Sequence, residues 1–390
     1  MPNLMTYFSV AIMTVFFATV SWIVVDLLGL KGNTAMIARV VLIALGMAGA
    51  GVFVWWRHKK SKQKKSEELP SEQDELAPLF RDAEQRLASS QLGREGRISM
   101  LPAVLVLGDS ASAKTSVVIN AGADAELLGG HVFQDGYIMP TRSMNLWFAR
   151  DTVIAEAGGG VLTVASKWLE LLKRLKPAQL RQVFGRGRQA PRAAVVCVDA
   201  EGFLQHGSQE AMTQLARRLN ARLGEVCRTL GIQLPVYVLF TRCDRIPFFM
   251  DFVANLSDEE ARQVVGVTLP LALNQRIGTY AEEETKRLTW AYHDLFLGMA
   301  DHRPPLLKRE HHAERLPGVY EFPREFRKLR TNLVQFLVDL CRPSQLQTSP
   351  YLRGFYFSGV RPVEVREVVR TARPEQQAAA RSAEATDRKS

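Results

Sequence analysis

Two long apolar runs open the chain and distinguish it from most water-soluble sequences. Residues 7–30 contain one charged side chain, Asp26, and residues 36–56 contain only Arg39. A membrane-spanning helix needs about 20 predominantly apolar residues, so each run is long enough to cross a bilayer. Two buried helices of a soluble core are the alternative, but soluble helices of this length usually carry more polar residues. We therefore expect a two-helix transmembrane hairpin over residues 1–56.

The pattern changes after residue 66, where apolar positions begin to follow helical and strand periods. Residues 71–92 predict a linker helix whose apolar stripe includes Leu76, Phe80 and Leu87. Farther along, short apolar runs alternate with amphipathic stretches. The runs lie at residues 103–107, 152–155, 193–198 and 235–241, and the helical stretches near residues 114–120, 165–175 and 208–230. Apolar strands that alternate with helices indicate a mainly parallel sheet covered on both faces.

The chain becomes more helical after Thr241. Ser257 and Glu260 have the spacing of a capping box, which marks the start of a helix. Further helices are expected at residues 279–299 and 324–341, with a loop rich in proline and histidine between them. A late strand is expected at residues 352–359, and the polar, low-complexity sequence that follows predicts a disordered tail.

A large part of the net charge of +10 lies where the second apolar run ends. Residues 57–65 read RHKKSKQKK, whereas the link between the two runs carries only Lys31. Basic flanks remain in the cytoplasm, so both termini and the domain after the hairpin are expected there. The position of the basic run beside a span, near anionic lipid headgroups, explains it without a nucleic-acid partner.

The cysteines and histidines do not indicate a metal centre. The chain has four cysteines, all in the part expected to be cytoplasmic, so we expect reduced thiols. Their spacings match no zinc motif. His302, His311 and His312 lie in a polar stretch, and adjacent histidines rarely point at one metal. No Ser/His/Asp or paired-carboxylate arrangement supports a membrane-tethered enzyme of another type, and no catalytic residue is predicted.

A phosphate-binding loop is suggested by the sequence LGDSASAKTSV, residues 107–117, which follows the first apolar strand. Gly108, Lys114 and Thr115 match the GxxxxGK[ST] pattern that lies between a strand and a helix. Ala113 replaces the second glycine of the pattern. Glycine serves such loops because some positions need a positive φ, where alanine costs about 1–2 kcal/mol.

Two further residues weaken the match. Ala111 occupies another position of the loop where glycine is common, and Asp109 adds a carboxylate that would repel phosphate if it turned inward. We therefore divide the chain into five parts around a degenerate P-loop NTPase-like domain. They are a transmembrane hairpin at 1–56, a basic flank and linker helix at 57–98, the NTPase-like domain at 99–250, a helical extension with a final strand at 251–362, and a disordered tail at 363–390.

An ordered set of sequence blocks resembles the N-terminal cytoplasmic region of the IcmF/TssM proteins, which belong to the inner-membrane core of bacterial type VI secretion systems. The set begins with the hairpin and GDSASAKT. It continues with TRSMNLWFARDTVIAEAG at 141–158, PVYVLFTRCDRIPFF at 235–249, LSDEEARQVVGVTLP at 256–270, and the EFPREF and LRGFYFSG blocks within 318–359. The resemblance covers about residues 7–360, and the last two blocks are its most specific part.

The resemblance implies a multi-pass scaffold of the bacterial inner membrane, with its soluble domain in the cytoplasm. Such proteins pair with a DotU/TssL-like inner-membrane protein, anchor baseplate subunits, and are expected to form homo-oligomers within the complex. Members of the family also carry a third span and a large periplasmic region. No apolar run follows Gly359, so we expect the front part of a longer or split protein, or a short version.

The resemblance also implies a nucleotide site. It assigns cofactor binding to Gly108, Lys114, Thr115, Thr141 and Asp244, with Thr115 as the metal ligand. Arg242 departs from the T-K-x-D pattern that reads a nucleotide base, and arginine does not replace lysine automatically.

A missing carboxylate is expected to weaken the site further. The aspartate that helps to hold Mg²⁺ in the family's LLDTAG stretch aligns with Ala155, and Glu156, one residue on, is expected to point to the opposite face of the strand. No cofactor is certain, and at most weak binding of Mg-GTP or Mg-ATP is expected. We favour a scaffold with a GTPase-like domain; the alternative is a nucleotide-regulated switch or an NTPase that energises assembly.

Overall fold

The protein is described by a computed structural model. The predicted hairpin, basic flank and tail lie outside the described residues. Among those residues, no helix has the length and apolar character that crossing a membrane requires. The described residues are 76–90, 98–134, 137–139, 141, 143–176, 192–205, 207–271, 278–344 and 348–361.

Strands are frequent in the first part of the domain, with five in succession between residues 126 and 157, and helices dominate after Thr241. The strands are β1 (Ala103–Leu107), β2 (Glu126–Gly129), β3 (Phe133–Gln134), β4 (Tyr137–Ile138), β5 (Met144–Ala149), β6 (Thr152–Ala157), β7 (Arg192–Asp199), β8 (Pro235–Thr241), β9 (Gly266–Thr268) and β10 (Tyr351–Phe357). The helices are α1 (Leu76–Ser89), α2 (Lys114–Ile119), α3 (Gly159–Thr163), α4 (Ala165–Leu175), α5 (Ser208–Leu230), α6 (Phe249–Ala254), α7 (Asp258–Ala261), α8 (Tyr280–Asp301), α9 (Arg303–Arg309), α10 (Leu316–Lys328) and α11 (Arg330–Leu340).

The main sheet has the strand order β2-β5-β6-β1-β7-β8-β10-β9, and its five central strands are parallel. Antiparallel pairs complete both ends: β5 with β6 and β2 with β5 on one side, and β9 with β10 on the other. The predicted mainly parallel α/β sheet is therefore confirmed. Because parallel strands bring their carboxyl ends to one edge, the loops after β1, β6, β8 and β10 meet there.

The two faces of the sheet pack against different elements. Leu105 and Leu107 of β1 join the large core formed with α1, α4, α5, α8, α10 and α11. Val106, between them in sequence, faces the other way and packs with Val118 of α2 and Trp147 of β5. The predicted stripe of α5 at Leu215, Leu219, Leu223 and Cys227 is buried in the large core.

The helical half departs from the sequence prediction between residues 299 and 341. The loop predicted between residues 299 and 324 contains α9, and the helix predicted at residues 324–341 is two helices that meet at Leu329. Prolines stand in the first turns of α9 and α10, where the missing N–H has no helical partner to lose. The capping box of Ser257 and Glu260 is present as predicted.

The sheet also crosses the boundary that we expected at residue 250. Strand β10 pairs with β8 along its length, so the final strand belongs to the same sheet as the phosphate-loop strand. A two-residue turn joins β5 to β6, with Arg150 and Asp151 both at positive φ. Such turns match the twist of a β-hairpin, and this one places β5 beside β6.

Candidate functional site

The loop between β1 and α2 requires glycine at its first position. Gly108 has a φ of 154°, and a Cβ at this position would overlap the carbonyl oxygen of Cys197 on the neighbouring strand β7. Glycine at position 108 therefore has a steric basis: the loop passes close to the backbone of β7.

Two alanines of the loop have a strained backbone conformation. Ala111 has a φ of 62°, and Ala113, which precedes the first residue of α2, has a φ of 55°. Both values lie in the left-handed region, where a Cβ costs about 1–2 kcal/mol per residue. The chain therefore keeps the backbone shape of a phosphate loop at positions where its sequence lacks glycine.

Lys114 folds back beneath the loop. Its ammonium group donates to the carbonyl oxygens of Gly108 at 3.1 Å and Asp109 at 2.6 Å, and to the hydroxyl of Ser112 at 3.3 Å. Burial lowers the pKa of Lys114, and the nearby Glu156 carboxylate acts in the opposite direction. As the pH rises, Lys114 would therefore lose its proton at a lower pH than an exposed lysine would, and a bound anion would lose its charged partner there.

The Asp109 carboxylate is directed away from the cavity beside the loop. One of its oxygens lies 3.0 Å from the guanidinium of Arg218 on α5, and Asp109 is not among the residues that line the cavity. The inward orientation that would repel a phosphate is therefore not the one that the side chain adopts.

Glu156 is the centre of the site. Its carboxylate is fully buried and accepts hydrogen bonds from the hydroxyls of Thr115 and Thr141, each at 2.5 Å. Its second oxygen accepts from the side-chain amide of Asn145 at 3.1 Å and the indole N–H of Trp147 at 3.2 Å. This residue thus joins α2, β5 and the segment that contains Thr141.

The expectation that Ala155 leaves the site without a carboxylate is wrong. Ala155 is buried in the large core on the opposite face, while Glu156 pairs regularly with Val106 of β1 and faces the loop. Side chains of β6 do alternate between the two faces of the sheet as expected. Glu156, however, is on the face that meets the loop, and Ala155 is on the other. The spacing Glu156-x-x-Gly159 was the sequence signal that could have identified this residue.

Gly159 brings the segment after β6 against the phosphate loop. A Cβ at Gly159 would overlap the hydroxyl of Ser110, so glycine permits this approach. The residues that follow, Gly160 to Leu162, carry no polar side chain. These three positions therefore offer no side chain that could orient a water.

The segments after β8 and β10 form the other end of the site. The Thr241 hydroxyl lies 3.2 Å from the carbonyl oxygens of both Ser112 and Val198, so it connects β8 to the loop. Asp244 accepts a hydrogen bond from the backbone N–H of Val360 at 3.1 Å. Arg242 has a φ of 56° and pairs with Asp199 at 2.9 Å, so its charge is directed toward β7.

These residues surround one cavity of about 880 Å³. Lys114, Thr115, Thr141 and Asp244 line it together with Glu156, whereas Gly108 does not line it. The volume lies within the range of about 300–1,000 Å³ that is typical of small-molecule sites. The structure thus brings together four of the five residues that the sequence assigned to cofactor binding.

The donor set at one end of the cavity suits Mg²⁺. The hydroxyls of Thr115 and Thr141 and the carboxylate of Glu156 are oxygen ligands, which this ion prefers. Within the described ranges, no group of three His, Cys, Asp or Glu side chains could hold a metal. This end of the cavity thus presents two hydroxyls and one carboxylate, the oxygen donors that suit a hard cation.

Comparisons with known proteins agree on one family. The model of the IcmF-related N-terminal domain matches residues 164–390. The type VI secretion system component TssM1 of Pseudomonas aeruginosa is 29% identical over 301 residues, which are 73% of this chain and 26% of that protein. The chain therefore spans about a quarter of the length of this relative.

A solved structure also matches part of the chain. It is the signal recognition particle receptor SRb-GTP/SRX complex from Chaetomium thermophilum, at 16% identity and a TM-score of 0.23. The match covers 37% of this chain and 70% of the other, and at this TM-score it supports no conclusion about the site.

Replacing Ala113 by glycine should stabilise the domain by about 0.5–1 kcal/mol, because relief of the left-handed strain exceeds the entropy that glycine costs. Urea unfolding of the purified chain, followed by tryptophan fluorescence, measures the change. Ala121→Gly is the matched control, because Ala121 is exposed and not at positive φ, and this change should destabilise slightly. Equal destabilisation by both changes would contradict the argument.

Proposed function

The chain belongs to the IcmF/TssM family of type VI secretion proteins, and from this premise we propose that it is a scaffold subunit of such a membrane complex whose cytoplasmic domain binds a Mg-nucleotide. In this proposal a hairpin at residues 1–56 anchors the chain in the bacterial inner membrane. The α/β domain and its helices contact a DotU/TssL-like membrane protein and baseplate subunits, in a complex that contains several copies of the chain.

The observation that supports nucleotide binding is the environment of Glu156. A buried carboxylate bonded to two threonine hydroxyls lies in the same cavity as a lysine beneath a phosphate-type loop. Thr115, Thr141 and Glu156 would hold Mg²⁺, which would supply positive charge to the phosphates when bound. The loop N–H groups and Lys114 would bind the phosphates directly.

A nucleotide-regulated switch is the second candidate, and the presence of Glu156 favours it. Asp244 and the backbone around Gly359 lie at the far end of the cavity, where they would meet a base. Asp244 would accept hydrogen bonds from a guanine edge. Fast hydrolysis is not part of the proposal, because the three residues that follow Gly159 offer no polar side chain to a water.

The support for docking comes from exposed apolar side chains after Thr241. Val264, before β9, is 74% exposed, and Trp290 on α8 is 68% exposed. Tyr320 on α10 is also exposed and carries the guanidinium of Arg303 over its ring. Exposed aromatic residues beside arginine are typical of protein interfaces.

Glu156→Gln should weaken binding of Mg-GTP or Mg-ATP by about tenfold or more, because the variant loses the acid that faces the cation. Lys114→Ala should weaken binding by a similar factor through loss of a phosphate contact. Calorimetric titration of the purified chain measures both, and Glu170→Gln on α4 is the control acid, which pairs with Arg174 outside the cavity. Phosphate release should be slow in every variant.

The titration and a measurement of phosphate release together test the scaffold and the nucleotide-driven candidates. Failure of the unmodified chain to bind either nucleotide would remove the nucleotide proposal and leave the scaffold. Rapid turnover that Lys114→Ala abolishes would contradict slow hydrolysis and favour the NTPase.

A cysteine at position 89 should be inaccessible from outside intact cells, because the domain after the basic flank is proposed to be cytoplasmic. Ser89 is exposed, so Ser89→Cys can react once membranes are permeabilised. The four native cysteines are buried, and burial raises the pKa of Cys197 and Cys243 to about 12, so their background labelling should be low. Maleimide labelling measures accessibility.

The control for topology is Asn33→Cys in the link between the two apolar runs, which should react in intact cells. Labelling of the cysteine at position 89 without permeabilisation would reverse the proposed orientation.

Trp290→Ala should reduce recovery of partner subunits by about tenfold or more, since exposed interface tryptophans often contribute over 2 kcal/mol to binding. Co-purification from solubilised membranes that contain the DotU/TssL-like protein and baseplate subunits measures recovery. Leu169→Ala is the matched control, because Leu169 is an exposed apolar residue on α4, before Thr241. Unchanged recovery with Trp290→Ala would exclude this face of α8 as the contact.

A further inference from the structure

Helix α5 reaches the phosphate-type loop through one arginine. The guanidinium of Arg218 lies 3.0 Å from a carboxylate oxygen of Asp109, which is 109 positions earlier in the chain. One turn farther along, Arg222 donates to the carbonyl oxygens of Leu162 at 2.7 Å and Thr163 at 3.4 Å in α3. The same helix face therefore contacts both segments that approach each other at Gly159.

The stability of the domain does not explain the contact between Arg218 and Asp109. Their side chains are 45% and 55% exposed, and ion pairs at such exposure contribute little to folding. The consequence for an anion is different, because Asp109 is the second residue of a loop whose neighbours line the cavity. A carboxylate there opposes a phosphate unless it is turned away and neutralised.

We propose that Arg218 is a positioning residue of the candidate phosphate site. It holds the Asp109 carboxylate against α5 and compensates its charge, so that the loop accepts an anion despite carrying an acid. Arg218 itself does not line the cavity and touches no ligand in this role. The inference rests on the proposed anion-binding function of the loop and adds to it the residue that makes Asp109 tolerable there.

The test is a double-mutant cycle on the full chain. Arg218→Ala should weaken binding of Mg-GTP by about fivefold to tenfold, since the uncompensated Asp109 charge on the loop would be only partly screened from the anion. Asp109→Asn should bind at least as tightly as the unmodified chain. The double variant Asp109→Asn with Arg218→Ala should match Asp109→Asn alone, and Arg218→Lys should retain most of the affinity because it keeps the charge.

Two controls separate positioning from a structural effect. Arg217→Ala changes the adjacent, exposed arginine of α5, which forms no hydrogen bond or ion pair within the described part of the chain, and it should leave affinity unchanged. Thermal unfolding midpoints should agree within about 2 °C across the set, because the pair is exposed.

Each result decides the inference. Equal affinity of Arg218→Ala and the unmodified chain overturns it and leaves nucleotide binding intact. An equal loss in both Asp109 backgrounds also overturns it, since Arg218 would then act on the ligand directly. Magnesium tripolyphosphate serves as a second probe. If the chain binds this anion in an Arg218-dependent way but binds no nucleotide, the role of Arg218 is supported and the nucleotide proposal is not. If the chain binds neither the anion nor a nucleotide, both proposals are overturned.

Discussion

One buried carboxylate determines how the phosphate-type loop sits on the sheet. Glu156 accepts hydrogen bonds from α2, from β5 and from Thr141, so three separate parts of the sequence converge on one side chain. Burial of a carboxylate without such donors costs on the order of several kcal/mol. The hydrogen bond from Thr115 therefore helps to hold α2 over β1, together with the packing of Val118 against Val106.

The strained loop depends on this anchor. Ala111 and Ala113 keep left-handed conformations that alanine adopts at a cost, and such conformations persist only where the surrounding structure determines them. Here Thr115 is bonded to Glu156 on one side, and Thr241 contacts the Ser112 carbonyl on the other. Contacts at the carboxyl edge of the sheet thus determine the shape of the loop more than the conformational preferences of the loop residues do.

The sequence predicted most of the elements because their signals are local. The bounds of α5 follow from a leucine stripe with a period of four, and β1 and β8 follow from short apolar runs. The face of Glu156 was not predictable in this way, because a period of two tells which residues share a face but not which face meets the loop. Which face meets the loop depends on the packing of α2 and Trp147 over Val106, and Trp147 is distant from Val106 in sequence. Similarly, α9 reads as a proline-rich loop, and its buried Leu306 finds its contacts only in the folded core.

The margins of the described sheet limit how copies of this domain can associate. At one margin β2 has four residues and a shifted register, and Arg86 of α1 donates to the carbonyl of Leu127. At the other, β9 has three residues. Short or covered margins offer little template for another strand. Copies of this domain brought close together would therefore resist polymerisation through their sheets, and ordered association would have to proceed through side-chain surfaces instead.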